Sequence, residues 1–123
     1  MQKPIIVIAQ DSVWKKARQS GKYVQSTVTS TLDEVGFIHC SNPNQTIDIA
    51  NRHFRNFDNL ILLVVDTDKV TAEVKFEKAL SGRDGLFPHI YGALNTNAVI
   101  NEIALKKNSH GMFIAPSQLL QLQ

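Results

Sequence analysis

The chain has 123 residues, of which 43% are hydrophobic and 20% are charged, and its formal net charge is only +2. This length predicts a single domain, residues 1–123, that buries a core without disulfides or metal ions. The basic residues are scattered along the chain, which argues against a nucleic-acid-binding protein that depends on electrostatic attraction alone. A small anionic ligand needs only a few local cations and stays open.

The chain has one cysteine, Cys40, so an intramolecular disulfide is excluded and a reducing compartment fits. The apolar run Ile5–Ile8 is too short for a signal peptide or a membrane span. We therefore expect a cytoplasmic protein with no membrane partner. The sequence leaves its oligomeric state open.

The first quarter of the chain predicts a strand, a helix and a loop. Ile5–Ala9 is β-branched and apolar, typical of a strand buried on both faces. Asp11 follows as a candidate N-cap, and Gly21 is placed to end the helix. Residues 23–34 are polar and predict a surface loop, with a short helical turn at Thr31–Glu34.

The middle of the chain predicts a second strand–helix pair and the central strand. Gly36–Ser41 is a short apolar strand with polar residues at its end. Pro43 fits the first position of the next helix, with Ser41 or Asn42 as its cap. Leu60–Val65 is the most apolar run and predicts the central strand.

The second half predicts further strands. Val74–Ala79 alternates apolar and charged residues, as in a strand with one wet face. Pro88 cannot donate a ladder hydrogen bond, so its segment is expected at a strand start or a sheet edge. Ala98–Ala104 and Met112–Ile114 complete about six strands with two main helices, an α+β arrangement.

Alternation along the first histidine-bearing strand separates two reactive residues. Phe37 and His39 share one face, whereas Cys40 points to the other. A His39–Cys40 catalytic pair is therefore not expected, and Cys40 is interpreted as a small buried hydrophobe.

A second aromatic–histidine segment predicts the other half of a pocket. Phe87, His89 and Tyr91 share one face of an extended chain. Imidazole and phenol groups can bind a ring or a ribose and orient it, so we expect this face and His39 to line one pocket. A structural role, in which His89 bonds a carbonyl and Tyr91 packs in the core, is equally consistent with the residues.

Three further residues are candidates for the same pocket. Glu77 can hold a ribose hydroxyl or act as a base, or it can simply pair with Lys75 in solvent. Ser41 and Gln45 lie at the predicted start of the second helix, where free N–H groups bind phosphate or carboxylate. The histidine and cysteine spacings match no zinc pattern, so no metal is expected.

These motifs together resemble a bacterial family of unknown function, the domain-of-unknown-function family catalogued as nine-five-two. The likeness covers nearly the whole chain and rests on an ordered set: Trp14, Ala17, Gly21, Tyr23, the motif at 36–41, Gln45, Glu77 and the motif at 87–92. That family is similar to the ADP-ribosyltransferase superfamily, which also contains the RNA 2′-phosphotransferases.

The superfamily resemblance implies a bent, split, mixed β core whose cleft holds NAD. It implies that Phe37–Ser41 is one of the strands lining that cleft. It also implies His39, Glu77 and His89 as catalytic residues. Ile5–Ala9 lacks the histidine or arginine of the usual first strand, so His89 or Tyr91 would take its place.

The same resemblance implies a nucleotide partner. Its candidate contacts for NAD, ADP-ribose or a related anionic ligand are Ser41, Gln45, Phe87 and Tyr91. Two functions remain open: a transferase related to the ADP-ribosyltransferases or 2′-phosphotransferases, and a non-catalytic module that binds a small ligand or a protein.

Overall fold

The computed structural model describes residues 4–79 and 84–123, which form an α+β fold. Within those ranges eight strands make three sheets, ordered β1-β4-β8, β2-β7 and β3-β6-β5. The strands are β1 (Ile5–Gln10), β2 (Lys22–Tyr23), β3 (Ile38–His39), β4 (Leu60–Val65), β5 (Glu73–Lys78), β6 (Leu86–Tyr91), β7 (Leu94–Asn95) and β8 (Val99–Ala104). The helices are α1 (Asp11–Ser20), α2 (Leu32–Val35), α3 (Thr46–His53) and α4 (Ser117–Leu120), with 3-10 turns at Thr67–Lys69 and Thr96–Ala98.

The sheet β1-β4-β8 carries the core on both of its faces. β4 lies in the middle, antiparallel to both neighbours, and all six of its residues are buried. Alternate residues pack into two hydrophobic clusters, one containing Leu63 and Trp14 and the other containing Leu62 and Phe113. The predicted central strand and the predicted two-sided burial of β1 are confirmed.

The counts of six strands and two main helices were wrong. The missed strands β2 and β7 are two-residue elements that pair with each other, too short to leave a periodic signal. The strand predicted at Met112–Ile114 is reduced to a single bridge between Lys107 and Phe113. Within the described ranges, no helix is long and apolar enough to cross a membrane.

The sheet β3-β6-β5 corrects the prediction that the Pro88 segment lies at an edge. β6 is the middle strand of this sheet, with Pro88 opposite Phe76. The Cys40 N–H donates to the Pro88 carbonyl over 3.0 Å, and in an antiparallel ladder the reciprocal donor would be the missing N–H of Pro88. We infer that β3 ends for this reason.

Immediately after β3 the chain joins the other sheet. Ser41 and Ile6 exchange two backbone hydrogen bonds, of 2.8 and 2.9 Å. One short segment therefore ties both three-stranded sheets together, and the β core is split at this point.

The second long helix begins later than the sequence indicated. α3 starts at Thr46, with Gln45 as its N-cap, because the Gln45 side chain folds back and accepts the Asn42 N–H over 2.9 Å. Pro43 therefore lies in a turn before the helix and not at its first position. By contrast, the predicted end of α1 at Gly21 and the turn after Thr31 are confirmed.

Gly92 after β6 provides a test of this packing. Its φ of +155° disfavours other residues, and a Cβ there would lie 2.9 Å from the Ala72 Cβ. We expect Gly92→Ala to lower the free energy of unfolding by about 2–4 kcal/mol, from backbone strain plus overpacking. Gly21→Ala is the matched control, because its φ is +87° but nothing lies within 4 Å of the added Cβ. Urea denaturation should show a clearly smaller loss for Gly21→Ala, and equal losses would contradict the steric explanation.

Candidate functional site

One face of the β3-β6-β5 sheet collects the side chains of both histidine motifs. His39 and His89 are direct cross-strand partners, and their ring centroids are 5.6 Å apart in an edge-to-face arrangement. Tyr91 and Glu77 lie on the same face, one further along β6 and the other on β5. The structure therefore brings together the three residues predicted to be catalytic.

Phe37 lies at the centre of this group. Its ring stacks on His89 with centroids 4.1 Å apart, and it contacts His39 at 4.8 Å and Tyr91 at 5.3 Å. Phe37 itself is buried. We call these five residues the histidine cluster: Phe37, His39, Glu77, His89 and Tyr91.

Glu77 fixes the orientation of the His89 ring. His89 is only 2% exposed, and its Nδ1 lies 2.9 Å from Glu77 Oε1. An ionised carboxylate only accepts hydrogen bonds, so Nδ1 carries a proton and the Nε2 atom is left for other partners. The Tyr91 hydroxyl donates to the same Oε1. Hydrogen bonds from Tyr91 and His89 lower the pKa of Glu77, so the carboxylate is ionised at neutral pH.

Ser26 fixes the orientation of the His39 ring, although Ser26 was not among the residues predicted for the site. The Ser26 hydroxyl donates to the Phe37 carbonyl over 2.5 Å and lies 2.9 Å from His39 Nδ1. Because its one proton is already used, Ser26 accepts from His39, and the neutral ring then has its lone pair on Nε2. Burial, followed by the charge of His89, lowers the pKa of His39, so this neutral form dominates at pH 7.

Replacing Ser26 tests this tautomer assignment. We expect Ser26→Ala to move the Nδ1 proton of His39 partly to Nε2, because Nδ1 loses its acceptor. The unpartnered Phe37 carbonyl should also cost about 1–2 kcal/mol of stability. Ring nitrogen chemical shifts in ¹⁵N-labelled protein report the tautomer directly.

Ser30→Ala is the control for the Ser26 variant. Ser30 lies in the same loop, and its hydroxyl bonds Thr27 at 2.7 Å and not a histidine. An unchanged His39 spectrum in Ser26→Ala would contradict the assignment, as would an equal change in Ser30→Ala.

A cleft of about 460 Å³ opens beside the histidine cluster. Both histidines line it, and most of its wall is apolar. Its other lining residues include Ser26, Ser41, Phe87, Ile8, Ile49, His53, Phe54 and Phe57. His53, the last residue of α3, lines the same cleft.

The predicted ligand contacts separate into two groups. Ser41 and Phe87 line the cleft, whereas Gln45, Tyr91 and Glu77 are not part of its wall. Glu77 Oε1 accepts from both His89 and Tyr91, so Glu77 and Tyr91 orient the His89 ring without lining the cleft. Gln45 links the start of α3 to β6, because its Nε2 donates to the Leu86 carbonyl over 3.0 Å.

The turn before α3, where an anion site was predicted, has several internal hydrogen bonds. Gln45 supplies the acceptor for the Asn42 N–H, and the Gln45 N–H donates to the Asn42 carbonyl over 2.9 Å. The Ser41 hydroxyl lies 2.8 Å from Thr46 Oγ1, while Thr46 donates to the Asn42 carbonyl. These bonds occupy the N–H groups of Asn42 and Gln45, and an anion site at the first turn of α3 stays a prediction.

Cys40 lies in the core, as alternation predicted. It is buried, and burial strongly raises the pKa of its thiol. The sulfur lies 3.6 Å from the Ile38 carbonyl. In the described part of the chain, no group of three or more histidine, cysteine or acidic side chains is placed to hold a metal ion.

The chain belongs to the family described as Protein of unknown function (DUF952), whose model matches residues 8–102. It is similar to protein CC0527 from Caulobacter crescentus. The crystal structure of CC0527 is 29% identical, with a TM-score of 0.81, and the match covers 95% of this chain and 98% of that one. The solution NMR structure of CC0527 gives 28% identity, a TM-score of 0.73, and coverage of 90% and 91%. No protein of curated function matches the chain.

Proposed function

We propose that the cleft binds a nucleotide-type ligand such as NAD, ADP-ribose or a related ribose phosphate. The observation that carries this proposal is the pair of imidazoles in the wall of a largely apolar cleft. Each ring has its Nδ1 held by a protein group, so each has Nε2 available for a ligand. A volume of about 460 Å³ lies within the range of small-molecule sites.

The two imidazoles suit the ribose and phosphate of such a ligand, and the apolar part of the cleft wall suits its base or nicotinamide. Nε2 of His39 can accept from a ribose hydroxyl, and a protonated His89 can donate to a phosphate or ribose oxygen. The aliphatic and aromatic wall formed by Ile49, Phe54 and Phe57 can take the flat apolar face of a base or nicotinamide. Phe87 also lines the cleft and offers a second aromatic surface to such a ligand.

An ADP-ribosyltransferase-like arrangement is the finer form of this proposal. It is supported by the split β core and by an acidic residue, Glu77, beside the histidines. Glu77 would act through His89, because its Oε1 already accepts from both His89 and Tyr91. A cytoplasmic location, where such nucleotides are available, is part of the proposal.

Titration of ¹⁵N-histidine-labelled protein tests ligand binding. We expect NAD, ADP-ribose or a 2′-phosphorylated RNA end to shift the Nε2 signals of His39 and His89 in a saturable way. His110 is the internal reference, because it is exposed in the turn after β8. Unchanged His39 and His89 signals with all three ligands at millimolar concentration would overturn the proposal.

A matched variant connects the binding to the cleft. His39→Ala should weaken the affinity by about 5–10-fold, because one hydrogen bond contributes about 1–1.5 kcal/mol. His110→Ala should bind as the wild type does. If bound NAD or ADP-ribose remains chemically unchanged over hours, the cleft is a non-catalytic binding module for that ligand.

A further inference from the structure

We propose that His39 and His89 form a base–acid pair that opens a 2′,3′-cyclic phosphodiester on a ribose. This inference rests on the proposed function, because it needs a ribose phosphate in the cleft. It goes further by naming the reaction and by giving the two histidines different roles.

The contacts of His39 make it the base. Its Nδ1–H donates to Ser26, which leaves the lone pair on Nε2 of a ring that lines the cleft. Burial and the charge of His89 lower the pKa of His39, so the lone pair is free at neutral pH. A deprotonated imidazole can accept the proton of a water molecule as that water attacks.

The contacts of His89 make it the acid. Its Nδ1–H donates to the Glu77 carboxylate over 2.9 Å, so the ring is held with Nε2 left for the leaving oxygen and with a negative charge on its other side. Among the residues that the structure describes, three other charged or titratable groups face His89. They are Lys75, which is its cross-strand partner on β5, and the side chains of Tyr91 and His39. Lys75 lies over the Tyr91 ring at 4.8 Å and 3.8 Å from Glu73, so part of its charge is offset.

The proposed step balances as follows. His39 Nε2 removes a proton from water, and the water oxygen forms a bond to phosphorus. The bond from phosphorus to one ribose oxygen breaks, and that oxygen takes the proton from His89 Nε2. The product is a ribose monophosphate with a free neighbouring hydroxyl, and exchange with solvent returns the two imidazoles to their starting protonation states.

The side chains present favour this reaction over two others. A glycosidase needs two carboxyl groups that flank the bond, whereas the histidine cluster has one, Glu77, and it already accepts from two partners. Acyl transfer by a triad needs an activated nucleophile beside the base, whereas Cys40 is buried although it lines the cleft, and burial strongly raises the pKa of its thiol. In-line displacement at a phosphodiester needs a base for the entering oxygen and an acid for the leaving one, which two imidazoles supply.

The test uses the full chain with adenosine 2′,3′-cyclic monophosphate, followed by ³¹P NMR. We expect conversion to one monophosphate isomer. The value of kcat/KM should rise with pH as His39 loses its proton, at a pH below the usual histidine range, because burial lowers the pKa of His39. His39→Ala should lower kcat/KM by about 10²–10⁴-fold, and His110→Ala should not change it.

A second variant keeps the test decisive if a histidine variant fails to fold. Glu77→Gln retains an acceptor for His89 and Tyr91 but removes the negative charge that faces the acid, so kcat/KM should fall while the protein stays folded. Absence of turnover in a protein that binds adenosine 3′-monophosphate in the cleft would overturn the inference and leave the proposed function standing. Absence of both binding and turnover would overturn both. Equal activity in His39→Ala and the wild type would overturn the assignment of the base.

Discussion

His89→Ala is expected to lower the free energy of unfolding by about 2–3 kcal/mol, while His39→Ala lowers it by less than about 1 kcal/mol. His89 is 2% exposed and lies against the Phe37 ring, so its removal opens a cavity in the sheet face. It also loses a hydrogen bond to a charged carboxylate, and such bonds contribute about 1.5–3 kcal/mol. Glu77 is partly exposed and retains its bond from Tyr91, which limits the loss.

His39 differs because its removal leaves no buried group without a partner. The Ser26 hydroxyl still donates to the Phe37 carbonyl, and the His39 ring is only half-buried. Urea denaturation followed by circular dichroism should therefore separate the two variants by their midpoints. A large and equal loss in both variants would assign both histidines to the core and would contradict a cleft built around available Nε2 atoms.

Much of the site could be predicted from local chain geometry. Strict alternation placed Phe37 and His39 on the face opposite Cys40, and the structure has Cys40 buried against Ile38. Alternation also predicted that His89 and Tyr91 share a face. These predictions needed only the period of a strand, which is the same in every sheet.

The remaining features depend on contacts between distant segments. His39 lies opposite His89 only because β3 and β6, whose histidines are fifty residues apart in sequence, pair in one particular register. That register is set by the packed core. Ser26 lies in a polar loop thirteen residues before His39, and a polar loop has no periodicity that points to one serine. Pro88 was expected at a strand start or a sheet edge because proline cannot donate a ladder hydrogen bond. That rule does not consider that the neighbouring strand β3 ends at His39, so that Pro88 can lie within a middle strand.

The start of α3 shows the same limit at short range. Pro43 and Ser41 matched a common helix start, yet Gln45 accepts the Asn42 N–H and donates to Leu86. The second contact belongs to a strand forty-one residues away. A rule based on neighbouring residues cannot include this contact with Leu86. With the Gln45 side chain held in this way, α3 begins at Thr46.

Phe37→Ala is expected to have the largest effect in the histidine cluster, a loss of about 3–5 kcal/mol of stability. The Phe37 ring contacts three other members of the cluster, with the closest centroid at 4.1 Å. Truncation therefore removes a buried aromatic ring and also the surface that holds both imidazoles. Stability is measured by urea denaturation, and ring order by the histidine ¹⁵N signals.

Phe37→Leu is the variant that separates packing from ring orientation. Leucine fills most of the same volume, so the stability loss should be only about 1–2 kcal/mol. It cannot stack, and aromatic pairs contribute about 0.5–1.5 kcal/mol beyond their buried area, so the His89 ring should lose its preferred orientation. Ligand binding in Phe37→Leu should then weaken although the protein remains folded. Wild-type affinity in a folded Phe37→Leu protein would show that Ser26 and Glu77 orient the two imidazoles without the stack.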